Sequence, residues 1–143
     1  MVDVNKAGRE YARFKLALAN EALEDTRSLL ADDAELTYVV NSLYYAFYYP
    51  ALALLHIKGI PAAMQSVSVA LFEREFVKTG AIDQRFFDAL RRLFELKPKC
   101  SVPQLTMISR HEVEALLADA SGFIAAVGLI LRDRKACTVE QKD

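Results

Sequence analysis

The stretch "NSLYYAFYYPALALLHIKG", residues 41–59, decides the fold because it is almost wholly apolar over a length that could cross a membrane. A bilayer span needs about 20 apolar residues, and its tyrosines collect at the two ends. Here Tyr44, Tyr45, Tyr48 and Tyr49 lie in the middle, where hydrocarbon would leave their hydroxyls without hydrogen-bond partners. Because apolar residues occupy nearly every face, we predict a central helix that other helices of a soluble protein surround.

Length and charge balance indicate one ordinary domain. A chain of 143 residues can bury about two-thirds of its unfolded surface. Its 18 basic and 19 acidic residues nearly cancel, so the chain has no strong field for nucleic acid or anionic lipid. Cys100 and Cys137 lack zinc-site spacing, so we expect free thiols, with a disulfide between them as the alternative. The N-terminal stretch has no apolar signal segment, and we expect a cytoplasmic protein.

Helical periodicity predicts two long helices in the first half of the chain. The first covers about residues 6–30, and its inward stripe is predicted to be Ala7, Tyr11, Phe14, Leu18, Ala22 and Leu29. The second contains the opening stretch and ends at Gly59, which suits a left-handed stop, with Pro61 just beyond. Pro50 removes one backbone hydrogen bond inside this helix, so we expect a bend there.

Turn and capping signals predict three further helices. A short third helix ends at Gly80, Asp83 caps a fourth, and Pro98 ends that one. Residues 98–108 are predicted to form a loop. "SRHE", residues 109–112, is a capping box that begins a long fifth helix, with Glu112 reaching back to the cap. The inward stripe of that helix is predicted to be Val113, Leu116, Leu117, Ala120, Ile124, Val127 and Leu131.

The helices together define the predicted fold class. We predict an all-α, up-and-down bundle of about five helices, with three long helices and the shorter third and fourth as a lateral pair. A single domain is expected over residues 1–137, followed by a frayed tail at 138–143.

Few residues point to chemistry. The common phosphate-binding, zinc-protease and hydrolase motifs are absent from the sequence. Neither His56 nor His111 has neighbours at metal-ligand spacing, so we expect no metal site and no cofactor. Arg91 and Arg92 are adjacent on an amphipathic helix, where they either belong to a solvated face or hold a phosphate.

Three stretches carry a resemblance to a known family: "NSLYYAFYYPALALLHIKGIP", "FEREFVKTGAIDQRFFDALRRLFELK" and "EVEALLADASGFIAAV". In them the chain resembles the HEPN domain family of small α-helical proteins, over roughly residues 6–131. The most specific pieces are Tyr44, Tyr45 and Ala46 and the connection from "FVKTG" to "ID". The resemblance implies a helical bundle that pairs through its long helices. Many members are metal-independent ribonuclease toxins whose frequent partner is a minimal nucleotidyltransferase antitoxin.

The residues that carry the family's chemistry are replaced in this chain. The family's ribonuclease motif is an arginine followed, after four to six residues, by a histidine, and neither histidine here has an arginine at that spacing. The nearest subgroup tends to have an arginine before the YYA core, a histidine entering the third helix, and an arginine with Asp-Tyr after the fourth. This chain has Ser42, Gln65, and Lys97 with Ser101 and Val102 at those places. The resemblance therefore implies a scaffold without the family's catalysis.

Three functional hypotheses follow from this resemblance. The first is a non-catalytic module that acts as a homodimer or by binding a nucleotidyltransferase-like partner, away from membranes. The second is a HEPN-type ribonuclease toxin with non-standard catalytic residues, for which the candidates are Arg91, Arg92, Lys97 and His111. The third is binding of RNA or a nucleotide, with Asn41, Tyr45, Tyr48, Tyr49 and Lys97 as the candidate ligand contacts. The tyrosines could equally be packing groups whose hydroxyls bond to nearby backbone.

Overall fold

The structure is a computed structural model that describes residues 4–61, 63–96 and 108–141. Within these ranges it describes side chains between residues 7 and 132. The described part of the chain forms five helices. They are α1 (Val4–Ala31), α2 (Leu36–Ile57), α3 (Gln65–Phe72), α4 (Gln84–Leu96) and α5 (Arg110–Gln141). Over these ranges every regular element is helical, which confirms the predicted all-α bundle. Lys97, Cys100, Ser101 and Val102, most of the predicted 98–108 loop and the side chain of Cys137 lie outside the described residues.

Helix α2 is the centre of the bundle. Thirteen of its 22 residues are buried, and they lie on all sides of the helix. It contacts α1, α3, α4 and α5, so the apolar surface of the opening stretch is covered by protein. The prediction of an enclosed central helix is confirmed. Pro50 is buried within α2, and the helix continues on both sides of it.

The segment whose length and composition would suit a membrane span lies in α5 and not in α2. It covers Arg110–Arg132, and only 33% of its most apolar 18-residue stretch is buried inside the protein. A core helix of a soluble protein would be covered more completely. This α5 segment therefore has an apolar surface that the other described helices leave exposed.

Helix α1 packs on α2 through a buried face that shares only Ala22 with the predicted stripe. Phe14, expected to point inward, is 60% exposed, and Leu18 is only partly buried. The buried face consists of Ala12, Ala19, Ala22, Leu23, Thr26 and Leu30. Small alanine side chains let two helices pack closely, and the predicted stripe left out Ala12 and Ala19. The predicted inward stripe was wrong at Phe14 for this reason, and it was also wrong at Ala7, which is exposed.

A hydroxyl of α2 bonds to a backbone carbonyl of α1 that also accepts a hydroxyl from α1 itself. Thr26 Oγ1 donates to the Ala22 carbonyl oxygen at 2.7 Å, which satisfies a buried polar side chain. Ser42 Oγ of α2 donates to the same oxygen at 3.1 Å. Ser42 is therefore a packing residue that joins the two long helices.

An aromatic centre joins the other four helices. Phe123 of α5 is fully buried, and its ring centroid lies 5.3 Å from that of Phe86, 5.7 Å from that of Phe47 and 5.7 Å from that of Phe72. These rings come from α4, α2 and α3 respectively. Phe123 thus connects α5 to every helix except α1, although it was absent from the predicted α5 stripe.

The helix ends agree with the turn signals in most cases. Gly59 (φ 83°) and Gly80 (φ 85°) both adopt the left-handed conformation that was predicted for them. Asp83 Oδ1 accepts from the backbone N–H of Arg85 at 2.8 Å, so this residue caps α4. Ser109 Oγ accepts from the backbone N–H of Glu112 at 3.0 Å, which confirms half of the capping box. The side chain of Glu112, however, points to α4 and not back to the cap.

Candidate functional site

A cluster of tyrosines on α2 forms the candidate site. The Tyr44 ring stacks on that of Tyr48 (centroids 5.3 Å apart, 16° between planes) and meets that of Tyr45 edge-on at 5.0 Å. Tyr45 stacks on Tyr49 at 5.2 Å, and Phe94 of α4 lies 6.1 Å from Tyr44. Tyr44 and Tyr48 are buried, whereas Tyr45 and Tyr49 are half-buried. We call these four residues the tyrosine cluster; it runs from the core to the surface.

The buried end of the tyrosine cluster contacts the start of α3. The Tyr44 hydroxyl donates to Gln65 Oε1 at 2.9 Å, and Gln65 is the first residue of α3. Burial raises the pKa of Tyr44 well above its usual value, and the neighbouring phenols of Tyr48 and Tyr45 raise it further. The hydroxyl therefore stays protonated at neutral pH and acts as a hydrogen-bond donor, not as a base.

The exposed end of the cluster contacts α1. The Lys15 ammonium lies 5.3 Å from the ring centroid of Tyr49 and 5.4 Å from that of Tyr11, a cation–π arrangement between two phenols. Tyr11 also packs against His56, with ring centroids 3.9 Å apart and 30° between planes. His56 is thus a partner of an aromatic ring at the α1–α2 contact and is only partly exposed.

The candidate arginines have different environments. Arg92 Nε donates to Glu112 Oε2 at 2.9 Å and its Nη2 donates to Oε1 at 3.3 Å, so the guanidinium holds the carboxylate with two hydrogen bonds. These bonds raise the pKa of Arg92 above its usual value. Arg91 is mostly exposed and forms a 3.8 Å ion pair with Glu95 one turn away. Such an exposed pair adds little stability.

The structure brings together only part of the predicted residue sets. Arg92 and His111 lie at the end of the bundle where α4 meets the start of α5, because Glu112 joins these two helices; His111 itself is exposed. Tyr45, Tyr48 and Tyr49 form one cluster as predicted, with Asn41 exposed one turn earlier on α2. Lys97 belongs to both predicted sets and lies outside the described residues.

Two contacts at the site could not be predicted from the sequence. The ion pair of Arg92 with Glu112 joins residues 20 positions apart, and Glu112 already had a local explanation as the second half of a capping box. Tyr11 was predicted to lie on the inward face of the first helix, and no local signal placed Lys15 against both Tyr11 and Tyr49. Over the residues with described side chains, no group of three or more His, Cys, Asp and Glu side chains is arranged to hold a metal ion.

Comparison with known proteins gives two relatives. Over 117 residues, 82% of this chain and 88% of the relative, the chain is 33% identical to a "UPF0332 protein" of Thermotoga maritima. Over 99 residues, 69% of this chain and 67% of the relative, it is 26% identical to a protein of Methanocaldococcus jannaschii named "Putative toxin MJ0142". No family model and no solved structure matches the chain. The identity and coverage of the first relative show that this chain belongs to the UPF0332 family.

Proposed function

We propose that this protein is a HEPN-like helical module of a toxin–antitoxin-type system that acts by pairing with other proteins in the cytoplasm and not by cleaving RNA. The observation that carries the proposal is the hydrogen bond from the Tyr44 hydroxyl to Gln65. Gln65 stands at the entrance of α3, where the nearest HEPN subgroup tends to have a histidine. An amide that accepts from a neutral phenol cannot transfer a proton at neutral pH. This position therefore has a structural bond in place of a general acid or base.

The contacts of Ser42 and Arg92 support the same proposal. Ser42, at the place of the arginine before the YYA core, donates to a backbone carbonyl of α1 and holds two helices together. The third comparable position, Lys97 with Ser101 and Val102, lies outside the described residues. Among the candidates for catalysis, Arg92 is paired with the carboxylate of Glu112. A phosphate would have to compete with that carboxylate for the guanidinium.

A second copy of this chain is the partner that we propose for α5. Its exposed side carries Ala115, Ala118, Gly122, Ala125 and Leu129, and Leu129 is 56% exposed. These five residues are three and four positions apart in alternation, so they lie in one line along the helix; we call this line the α5 stripe. The same spacing is found along the contact line of two helices that pack side by side. Small side chains let helix axes approach closely, and an apolar face of this length is rarely left exposed in a monomer. Pairing of two α5 stripes would cover it.

The nucleotidyltransferase-like partner is proposed from the resemblance to HEPN proteins and from the relative named as a putative toxin. If a nucleotidyltransferase-like protein is encoded beside this chain, co-expression should give a stable complex on gel filtration. Separate elution of the two purified proteins would count against this partner.

RNA cleavage tests the proposal against its main alternative, a ribonuclease that uses Arg91, Arg92, Lys97 and His111. Purified protein is incubated with labelled single-stranded RNA in the presence of a chelator, alongside Arg92→Ala, His111→Ala and the surface control Arg13→Ala. We expect no cleavage above the buffer blank in any sample. Cleavage by the unaltered protein that is lost in Arg92→Ala or His111→Ala, but kept in Arg13→Ala, would overturn the proposal.

Nucleotide binding is a second candidate, because Lys15 lies beside the half-buried ring of Tyr49 and could attract a phosphate close to an aromatic surface. Calorimetry with a panel of ribonucleotides checks it. Measurable heat that disappears in Lys15→Gln would support this function, and no heat at millimolar nucleotide would exclude it.

A further inference from the structure

A shallow groove on the outer side of α3 has no role in the tyrosine cluster or the α5 stripe. Its volume is about 460 Å³ and its lining includes Val67, Ala70, Leu71, Glu73, Arg74 and Lys78; we call it the α3 groove. Val67 is 45% exposed, and Met64, immediately before the helix, is 76% exposed. The opposite side of α3 is already buried through Ser68, Val69 and Phe72. Helix α3 thus carries apolar residues on both sides, although only one side packs on the bundle.

A π-helical turn shapes one end of this groove. The chain continues from α3 into a π-helical turn at Glu73–Val77, in which the backbone N–H of Lys78 donates to the Glu73 carbonyl at 2.9 Å, five residues back. Such a turn accommodates one extra residue and is common at functional sites. Here Arg74 and Lys78 both line the groove beyond its apolar floor. The turn therefore ends an apolar surface with two cations.

The charges at this end are positive overall. Glu75 binds both Lys58, at 3.1 Å, and Arg74, at 2.8 Å, and hydrogen bonds from these two cations lower the pKa of its carboxyl. One carboxylate is therefore shared by two cations. No carboxylate among the described side chains lies within ion-pair distance of Lys78, and Glu73 is the one acid of the groove lining. The surface favours an acidic ligand.

We propose that the α3 groove binds an amphipathic helix of a protein partner. The apolar side chains of that helix would pack on Val67, Ala70 and Leu71, and its acidic side chains would pair with Arg74 and Lys78. A concave apolar floor fits the ridge of one helix, which is a common mode of peptide recognition. The chain's net charge of −1 gives an anionic bilayer no general attraction. The groove lies on α3, so it goes beyond the pairing proposed for α5 and does not depend on it.

Fluorescence anisotropy with two synthetic helical peptides tests this inference. Both peptides have leucines at helical spacing along one face; one ends in glutamates and the other in lysines. We expect the glutamate peptide to bind at least about tenfold more tightly at low salt, because electrostatic complementarity at the cationic end selects it. Val67→Glu and Lys78→Glu should each weaken its binding about tenfold. Ala17→Glu, a substitution of an exposed alanine on α1, is the control and should bind normally.

Several outcomes would overturn the inference. These are no binding at millimolar peptide, equal binding of the two peptides, and unchanged affinity in Val67→Glu with the far-ultraviolet spectrum preserved. Vesicles that contain phosphatidylserine are tested in parallel. Binding to them that depends on Val67, without peptide binding, would assign the groove to a membrane surface and would also overturn it. Amide shifts of labelled protein should be confined to α3 and its π-helical turn when the glutamate peptide is added.

Discussion

Substitution of Phe123 by alanine is the sharpest test of how the bundle holds together. The Phe123 ring is fully buried and is surrounded by the rings of Phe47, Phe72 and Phe86, at centroid distances of 5.7, 5.7 and 5.3 Å. These residues belong to α2, α3 and α4. Removal of one ring therefore leaves a cavity that four helices share and that none of them can fill alone.

The expected loss of stability is large. A buried Phe→Ala substitution lowers the free energy of unfolding by about 3–5 kcal/mol, and each aromatic pair contributes about 0.5–1.5 kcal/mol beyond its buried area. Because Phe123 meets three rings, we expect a loss of about 4–5 kcal/mol. A domain of this size has about 5–15 kcal/mol in total, so the variant should lose between roughly a quarter and nearly all of its stability. Phe123→Leu nearly conserves volume and should lose about 1.5 kcal/mol.

Urea unfolding measures these changes. The signal is circular dichroism at 222 nm, because the protein is helical and has no tryptophan whose fluorescence could be followed instead. Phe14→Ala is the matched control: the same chemical change at a residue that is 60% exposed should alter the free energy of unfolding by less than about 0.5 kcal/mol. A loss under about 1 kcal/mol in Phe123→Ala, or an equal loss in both variants, would show that α5 does not pack on this aromatic centre.

Three further predictions concern single contacts, and urea unfolding measures each. Tyr44→Phe should lower the free energy of unfolding by about 1 kcal/mol at pH 7. Because folding raises the pKa of this phenol, its contribution to stability is complete below about pH 10 and shrinks at higher pH, so the variant should lose less stability in alkali than the unaltered protein. An equal fall of the free energy of unfolding with rising pH in both proteins would contradict this. Glu112→Gln should lose under about 1 kcal/mol because its pair with Arg92 is about one-third exposed, and a larger loss would mean that the pair is effectively buried. Gly80→Ala should lower the free energy of unfolding by about 1–2 kcal/mol, because Gly80 has φ 85°. Gly128→Ala should be neutral or stabilising, because this glycine is helical and its added carbon would lie 3.8 Å from Leu16. A larger loss in Gly128→Ala than in Gly80→Ala would refute the assigned backbone conformations.

Local signals predicted much of the fold correctly. Gly59 and Gly80 were read as left-handed stops because few other residues tolerate that conformation, and Asp83 was read as a cap because its carboxylate can accept from an N–H two residues on. The enclosure of α2 followed from apolar residues on every face. These features depend on one segment of chain, so a single sequence contains the information.

Features that depend on two helices were not predictable in the same way. Phe14 and Ala19 are both apolar, and the choice of which one faces α2 depends on how closely the two helix axes can approach. Glu112 could serve its own helix or Arg92 of α4, and local reasoning favoured the nearer partner. The tyrosine cluster itself was visible in the sequence, but its bond to Gln65 depends on where the chain places α3.

The mass of the protein in solution tests most directly the claim that it acts by pairing. Sedimentation equilibrium of the unaltered protein at micromolar concentration should give twice the chain mass of 16.0 kDa. Ala118→Glu places a charge in the α5 stripe and should give a folded monomer, whereas Ala70→Glu, the same change at an exposed alanine of α3, should remain a dimer. A monomer at every concentration, or a dimer that Ala118→Glu leaves intact, would contradict the account.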